Sequence, residues 1–299
     1  MASVELQQAV AQGEAMIAQM ATAAAEGNVV GALREAMDSA FRFEVSDAAT
    51  IRPVSANGVP AEWVTVAESR PGRRMLYLHG GGYIAGSLAT HRRLCENLAR
   101  AAECEVLNLD YRLGPEHLYP AAVDDAVSGL QFVQTDGPSG LAGAEAVFVA
   151  GDSAGGGLAL ATLLAARDRG LAMPAGGVGL SPWNSLVRAV EGSNPPDPSD
   201  PITRAMALSY IGDADPADPL ISPLYADFTG LPPLLLQVGE PEPGRPDTEK
   251  VAERARAAGV DATAEIWPEM PHVWHMFAPT LPEGQEAIDR IGEFINQHA

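Results

Sequence analysis

An apolar run, Ala146-Val-Phe-Val-Ala150, stops at Gly151-Asp152-Ser153-Ala154-Gly155 and passes at once into Gly157-Leu-Ala-Leu-Ala-Thr-Leu-Leu164, a segment of helical character. A buried strand that turns into a helix within so few residues admits only small side chains on either side of the serine. The backbone there is strained, and the hydroxyl is lifted clear of the strand end, where a ligand can reach it. The spacing alone would be weak evidence. Its value comes from the strand before it and the helix after it.

The rest of the chain repeats that alternation. Phe41 to Val45 and Trp63 to Ala67 have the period-two pattern of strands, and Met75 to Leu78 is a short buried strand. His91 to Ala102 places Leu94, Leu98 and Ala102 on one helical face. Val106 to Tyr111 follows as a strand, and Ala121 to Val133 as a helix introduced by Pro120. Gly177 to Leu180 and Leu234 to Val238 are further strands, and the helix Asp247 to Ala258 ends at Gly259, with Asp247 in the N-cap position. Ala262 to Trp267 and a helix from Glu283 to Gln297 close the pattern. Apolar strands alternating with amphipathic helices predict an α/β fold, a mostly parallel central sheet covered by helices on both faces.

Two segments break the alternation. Residues 1–40 are an Ala/Gln/Met-rich helical region, and residues 184–229 form a long crossover containing Pro195, Pro196, Pro198, Pro201 and a short helix near Ala205 to Ile211. Crossovers of that length commonly carry a lid or a binding element. Both are read as one helical cap over the carboxyl ends of the strands, where open α/β sheets bind ligands. The chain then divides into the cap segment 1–40 and a catalytic domain 41–299, with 184–229 contributing to the cap. The plainer alternative is a disordered arm and an ordinary excursion.

His79-Gly80-Gly81-Gly82-Tyr83 follows the strand Met75-Leu-Tyr-Leu78. Three consecutive glycines let the backbone approach a ligand and aim N–H groups at it. In acyl transfer that ligand is the negative oxygen of the tetrahedral intermediate, and donors held in place for it act without reorganising. The N–H groups of Gly81, Gly82 and Ala154 are the expected oxyanion hole. Tyr83, directly after the glycines, is a candidate substrate-binding residue.

A serine needs a base to take its proton and an acid to hold the base. After a serine on a turn of this kind, the acid and then the histidine follow in the chain. Of six histidines, His79, His91 and His117 precede Ser153, and His298 is the penultimate residue. His272 and His275 remain, in the loop after the last strand. His272 is preferred because it comes sooner. For the acid, Glu240, Glu242 and Asp247 are all chemically competent. Asp247 has the competing N-cap role, whereas the prolines at 241 and 243 would present Glu242 rigidly. Glu242 is preferred.

Composition narrows the partners. A chain of 299 residues with 46% apolar content can bury a large core. A net charge of −20 argues against nucleic acid and anionic membrane surfaces, and Lys250 is the only lysine. No apolar run reaches the length of about eighteen residues that spans a bilayer. The start lacks a basic segment followed by an apolar one, so the cytoplasm is the expected compartment. Cys95 and Cys104 have no metal-ligand spacing and read as buried thiols, and no metal or cofactor is expected.

These residues resemble the bacterial hormone-sensitive-lipase family of α/β-hydrolase esterases. The likeness runs from about residue 70 to 280. Besides His79-Gly-Gly-Gly and Gly151-Asp-Ser-Ala-Gly-Gly-Gly it takes in Asp110-Tyr-Arg-Leu-Gly-Pro-Glu-His, Pro120-Ala-Ala-Val-Asp-Asp-Ala, Ser181-Pro-Trp and Asp218-Pro-Leu-Ile-Ser-Pro. The resemblance implies hydrolysis of short-chain carboxylic esters without a cofactor, and a cap built from the N-terminal helices and an insertion. It also implies the roles given above to Ser153, His272, Gly81, Gly82 and Ala154, and a possible homodimer through the last strand and helix. One departure stands out. The family usually carries an aspartate after the Gln-Val-Gly strand, near where Pro241 stands, whereas Glu242 has the family's spacing of about thirty residues to the histidine. Rival readings are a non-catalytic small-molecule receptor on the same fold and a serine amidase or peptidase.

Overall fold

The computed structural model describes residues 3–25, 27–192 and 200–299. Two helices, α1 (Val4–Ala25) and α2 (Val29–Ala40), precede a hairpin of β1 (Thr50–Ala56) and β2 (Val59–Thr65). Its turn is Asn57-Gly58, both at positive φ, as a tight hairpin turn requires. There follow β3 (Arg73–Leu78), α3 (Leu88–Ala101), β4 (Glu105–Leu109) and α4 (Ala121–Thr135). A small ribbon, β5 (Asp136–Gly137) with β6 (Gly140–Leu141), leads to β7 (Ala146–Asp152), α5 (Ser153–Asp168) and β8 (Gly176–Leu180). After α6 (Val187–Glu191) and α7 (Asp200–Ile211) come β9 (Leu234–Gly239), α8 (Arg245–Ala257), β10 (Ala262–Trp267) and α9 (Pro282–His298).

Eight strands form one sheet in the order β1-β2-β4-β3-β7-β8-β9-β10. β2 pairs antiparallel with β1 and β4, and every other pairing is parallel. Alternate residues of each strand face opposite layers. Leu76 and Leu78 of β3 pack with Leu130 of α4 and Leu158 of α5, whereas Met75 and Tyr77 pack with Leu94 of α3 and Ile291 of α9. The chain leaves β3 outward to β4, then returns to β7 on the other side of β3. The loops after β3 and β7 therefore open into one crevice, the place where such sheets bind ligands.

A helical layer lies beside that crevice. α2 and α7 join the loop after β3 through Val29, Leu33, Ile84 and Ile202, and α1 anchors through Leu6 on Met270 and Trp274. Arg34 of α2 donates to the carbonyls of Ile84 and Gly114 and forms a two-pronged pair with Glu116. Glu116 thereby ties the turn after β4 to α2. Pro195, Pro196 and Pro198 lie outside the described residues, and Pro201 sits in the first turn of α7.

Three sequence expectations need correction. Phe41 to Val45 is not a strand. Phe41 closes α2, its N–H donating to the Met37 carbonyl and its ring meeting Phe277 edge-on, and just past the stretch the N–H and hydroxyl of Ser46 donate to Glu96 of α3. The true edge strand β1 was masked by Pro53, which an edge tolerates. β2 also begins earlier than expected, at Val59. Asp247 is not the N-cap of α8. Gly244 holds that position, with Pro246 within the first turn. Cys95 and Cys104 are free and buried.

Candidate active site

β7 ends at Asp152 and α5 begins at Ser153, whose φ of 51° is in the left-handed region that costs a non-glycine residue energy. The turn explains its glycines. A Cβ on Gly155 would lie 2.0 Å from the Leu78 carbonyl oxygen, and one on Gly151 would lie 2.3 Å from that of Gly155.

His272 hangs from the loop after β10, and its Nε2 lies 2.9 Å from Ser153 Oγ. Its Nδ1 lies 2.6 Å from Glu242 Oε2. Glu242 follows β9 in a tight turn and is buried, 8% exposed, while the His272 side chain is 55% exposed to the cavity above it. Enclosure pulls the His272 pKa down, but the charge and hydrogen bond of Glu242 outweigh it and leave the imidazole above its ordinary value. The other oxygen of Glu242, Oε1, accepts from the Gly239 N–H and the Ser181 hydroxyl, both at 2.7 Å.

The alternatives for acid and base lie elsewhere. Glu240 is exposed and 3.9 Å from Arg245. Asp247 is in the first turn of α8, 4.0 Å from Arg188, and burial raises its pKa. His275 is fully buried, with Nε2 2.8 Å from Gln237 Oε1 and its ring on Trp274, and burial pushes its pKa down to about 3.

Gly81 and Gly82 line the cavity with φ of 122° and 62°. Among the described residues neither amide donates to an acceptor. Ala154 is in the first turn of α5, where Asp152 gives no side-chain cap, so its N–H is one of the free donors of the helix start. Tyr83 is placed differently from the sequence expectation. It is 1% exposed, its ring lies flat on Tyr210 with centroids 3.9 Å apart, and it is absent from the cavity wall. At its φ of 63° the chain turns back into the core straight after the glycines.

Asp152 points away from the serine. Its Oδ1 accepts from the Tyr77 hydroxyl at 2.7 Å and from the Gly80 N–H at 2.9 Å, with His91 Nε2 at 3.4 Å. Burial pushes this carboxyl up, but His91, the Tyr77 hydrogen bond and His79 together bring it down to about 2. It thus braces the glycine loop as well as the serine turn. His79 stacks on Tyr111 and is held near neutral by burial, its pKa lowered to about 4.

The cavity over Ser153 has a volume of about 620 Å³ and a mainly apolar wall, including Leu33, Met37, Trp183, Ile202, Met206 and Phe277. That is the size and character of a small-molecule site. Among the described residues no group of three or more His, Cys, Asp or Glu could hold a metal ion.

Sequence reasoning missed Ser181, although Ser181-Pro-Trp stands at the carboxyl end of β8, between the strands that carry Ser153 and Glu242. That position was the available signal.

A family model described as alpha/beta hydrolase fold matches residues 75–276. The chain is 46% identical over 245 residues to an acetyl-hydrolase of Streptomyces hygroscopicus, covering 79% of each. It is 33% identical over 270 residues to an esterase of Acinetobacter venetianus, covering 88% of each. Among solved structures, an esterase of the bacterial hormone-sensitive lipase family is 40% identical with a TM-score of 0.82, covering 100% of this chain and 99% of that one. The structure of EstE5 soaked with p-nitrophenyl butyrate is 38% identical with a TM-score of 0.81, covering 95% of this chain and 98% of that one.

Proposed function

The chain belongs to the alpha/beta hydrolase family and, within it, to the bacterial hormone-sensitive-lipase esterases; from that premise we propose that it hydrolyses short-chain carboxylic esters through Ser153, His272 and Glu242. The observation that carries this reading is the unbroken relay at the foot of the cavity, with 2.9 Å from Ser153 Oγ to His272 Nε2 and 2.6 Å from His272 Nδ1 to Glu242 Oε2.

In this mechanism His272 carries its proton on Nδ1, from which it donates a hydrogen bond to Glu242, leaving Nε2 to accept from the serine hydroxyl. Ser153 Oγ attacks the ester carbonyl as its proton passes to Nε2. The carbonyl oxygen becomes negative and takes hydrogen bonds from the N–H groups of Gly81, Gly82 and Ala154. The imidazolium, stabilised by Glu242, protonates the departing alcohol. Water then repeats the sequence on the acyl-serine, with His272 again as base, and releases the acid. The raised proton affinity of His272 suits it to this double role near neutral pH.

The helices of residues 1–40 and the 184–229 insertion act as the cap over this site, which is supported by the share of the cavity wall they supply. The substrate is a small ester and the compartment cytoplasmic. No helix among the described residues is long and apolar enough to cross a membrane. A homodimer through β10 and α9 belongs to the same reading, and it is the family resemblance that supports it.

Replacing Ser153 by Ala should abolish turnover of p-nitrophenyl acetate and butyrate while leaving the circular dichroism spectrum unchanged. A folded Ser153→Ala protein with near wild-type turnover would overturn the assignment.

A further inference from the structure

Ser181 lies outside the relay yet touches both loops that carry it. Its hydroxyl donates to Glu242 Oε1 at 2.7 Å and accepts from the Val273 N–H at 3.1 Å. A hydroxyl can do both at once because it has one proton to give and lone pairs to receive with. The residue is 3% exposed, its own N–H is tied to the Gln237 carbonyl at 2.7 Å, and its φ is 47°. A serine in the left-handed region at a strand end is strained.

We propose that Ser181 is a positioning residue that locks the Glu242 carboxylate and the His272 loop into one register. The inference rests on the esterase mechanism above. The need for such a lock follows from the acid. A glutamate has one more rotatable bond than an aspartate, so its carboxylate can reach the imidazole and can also swing away from it. Two donors, Gly239 N–H and Ser181 Oγ–H, occupy Oε1 and leave Oε2 facing His272 Nδ1. The Val273 N–H, one residue beyond the base, is held by the same hydroxyl. A single side chain therefore fixes the acid relative to the base, not merely relative to the sheet.

Two variants separate this role from a contribution to folding. Ser181→Ala removes the hydroxyl, and Ser181→Gly removes it while relieving the positive φ, so the glycine form keeps a folded protein available. Both should lower kcat for p-nitrophenyl butyrate by about 10- to 100-fold, the cost of losing a hydrogen bond to a charged group, with KM within about twofold. The acidic limb of the kcat–pH profile should also move to lower pH. Glu242 raises the His272 pKa, and a carboxylate free to swing holds the imidazolium less firmly. In a Glu242→Gln background, Ser181→Ala should add less than about threefold. Wild-type kcat in both folded variants, a fall in kcat with an unmoved acidic limb, or an undiminished loss in the Glu242→Gln background would each overturn the lock. Ser153→Ala run in parallel keeps the two ideas apart. If Ser153→Ala is active, the mechanism itself fails; if it is dead while Ser181→Gly matches wild type, only the lock fails.

Discussion

Two histidine–carboxylate pairs flank the same turn, and only one of them faces the serine. In the first, His272 Nδ1 is 2.6 Å from Glu242, and the ring opens into the cavity with Nε2 2.9 Å from Ser153 Oγ. In the second, His91 Nε2 is 3.4 Å from Asp152, the ring is 1% exposed, and Nδ1 is 2.8 Å from Thr90 Oγ1. Each pair sets an imidazole against a carboxylate, and the outcomes differ. A histidine can act as base when a carboxylate holds one nitrogen and the other meets a reactive hydroxyl beside open space. Where both nitrogens are taken up inside the core, the pair has only position to give. The Asp152 pair gives it to the glycine loop, through the Gly80 N–H.

The comparison breaks most visibly at the acids. Glu242→Gln should lower kcat by roughly 10²–10⁴, because an amide stabilises the wrong imidazole tautomer. A smaller loss than in Asp247→Asn would hand the acid's role to Asp247. Asp152→Asn should cost less, about tenfold in kcat, since it loosens one support of the oxyanion donors and removes none of them. Its mark should be on stability. The Asp152 carboxyl sits at about 2, below the ordinary value near 3.9, so its contribution is complete above about pH 4 and is lost as pH falls toward 2. The gap in urea midpoint between wild type and Asp152→Asn should therefore narrow over that range. A constant gap would mean that the charge on Asp152 contributes nothing.

Local rules made most of the sheet legible. Gly151 to Gly155 could be read because a tight strand-to-helix turn restricts its neighbours, and the parallel core because its strands are apolar on both faces. β1 was not legible, since an exposed edge strand with Pro53 lacks that signature, while Phe41 and Phe43 imitate it without a partner strand. Ser153, His272 and Glu242 could be listed from chain order, but their meeting depends on strands far apart in sequence. Ser181 had no local signal of its own chemistry, and its importance comes from what β8 sets beside it. Tyr83 shows the opposite error. Adjacency in sequence to the glycine loop suggested contact with substrate, yet its positive φ turns the ring onto Tyr210.

The smallest expected effect tests the second pair from its histidine side. His91→Gln keeps a polar group near Asp152 but loses the ring. The carboxylate retains its two shorter partners, the Tyr77 hydroxyl at 2.7 Å and the Gly80 N–H at 2.9 Å, so the glycine loop should stay in place. Turnover of p-nitrophenyl butyrate should remain within about threefold of wild type, while stability falls by about 1–3 kcal/mol, the range for disturbing a buried polar partner. Thermal unfolding and initial rates on one preparation read both quantities. A rate loss approaching that of Glu242→Gln, with the fold intact, would show that His91 reaches the chemistry through Asp152 and Gly80. The glycine loop would then depend on His91 as strictly as the serine depends on His272, and burial of both ring nitrogens would no longer separate a positioning histidine from a catalytic one.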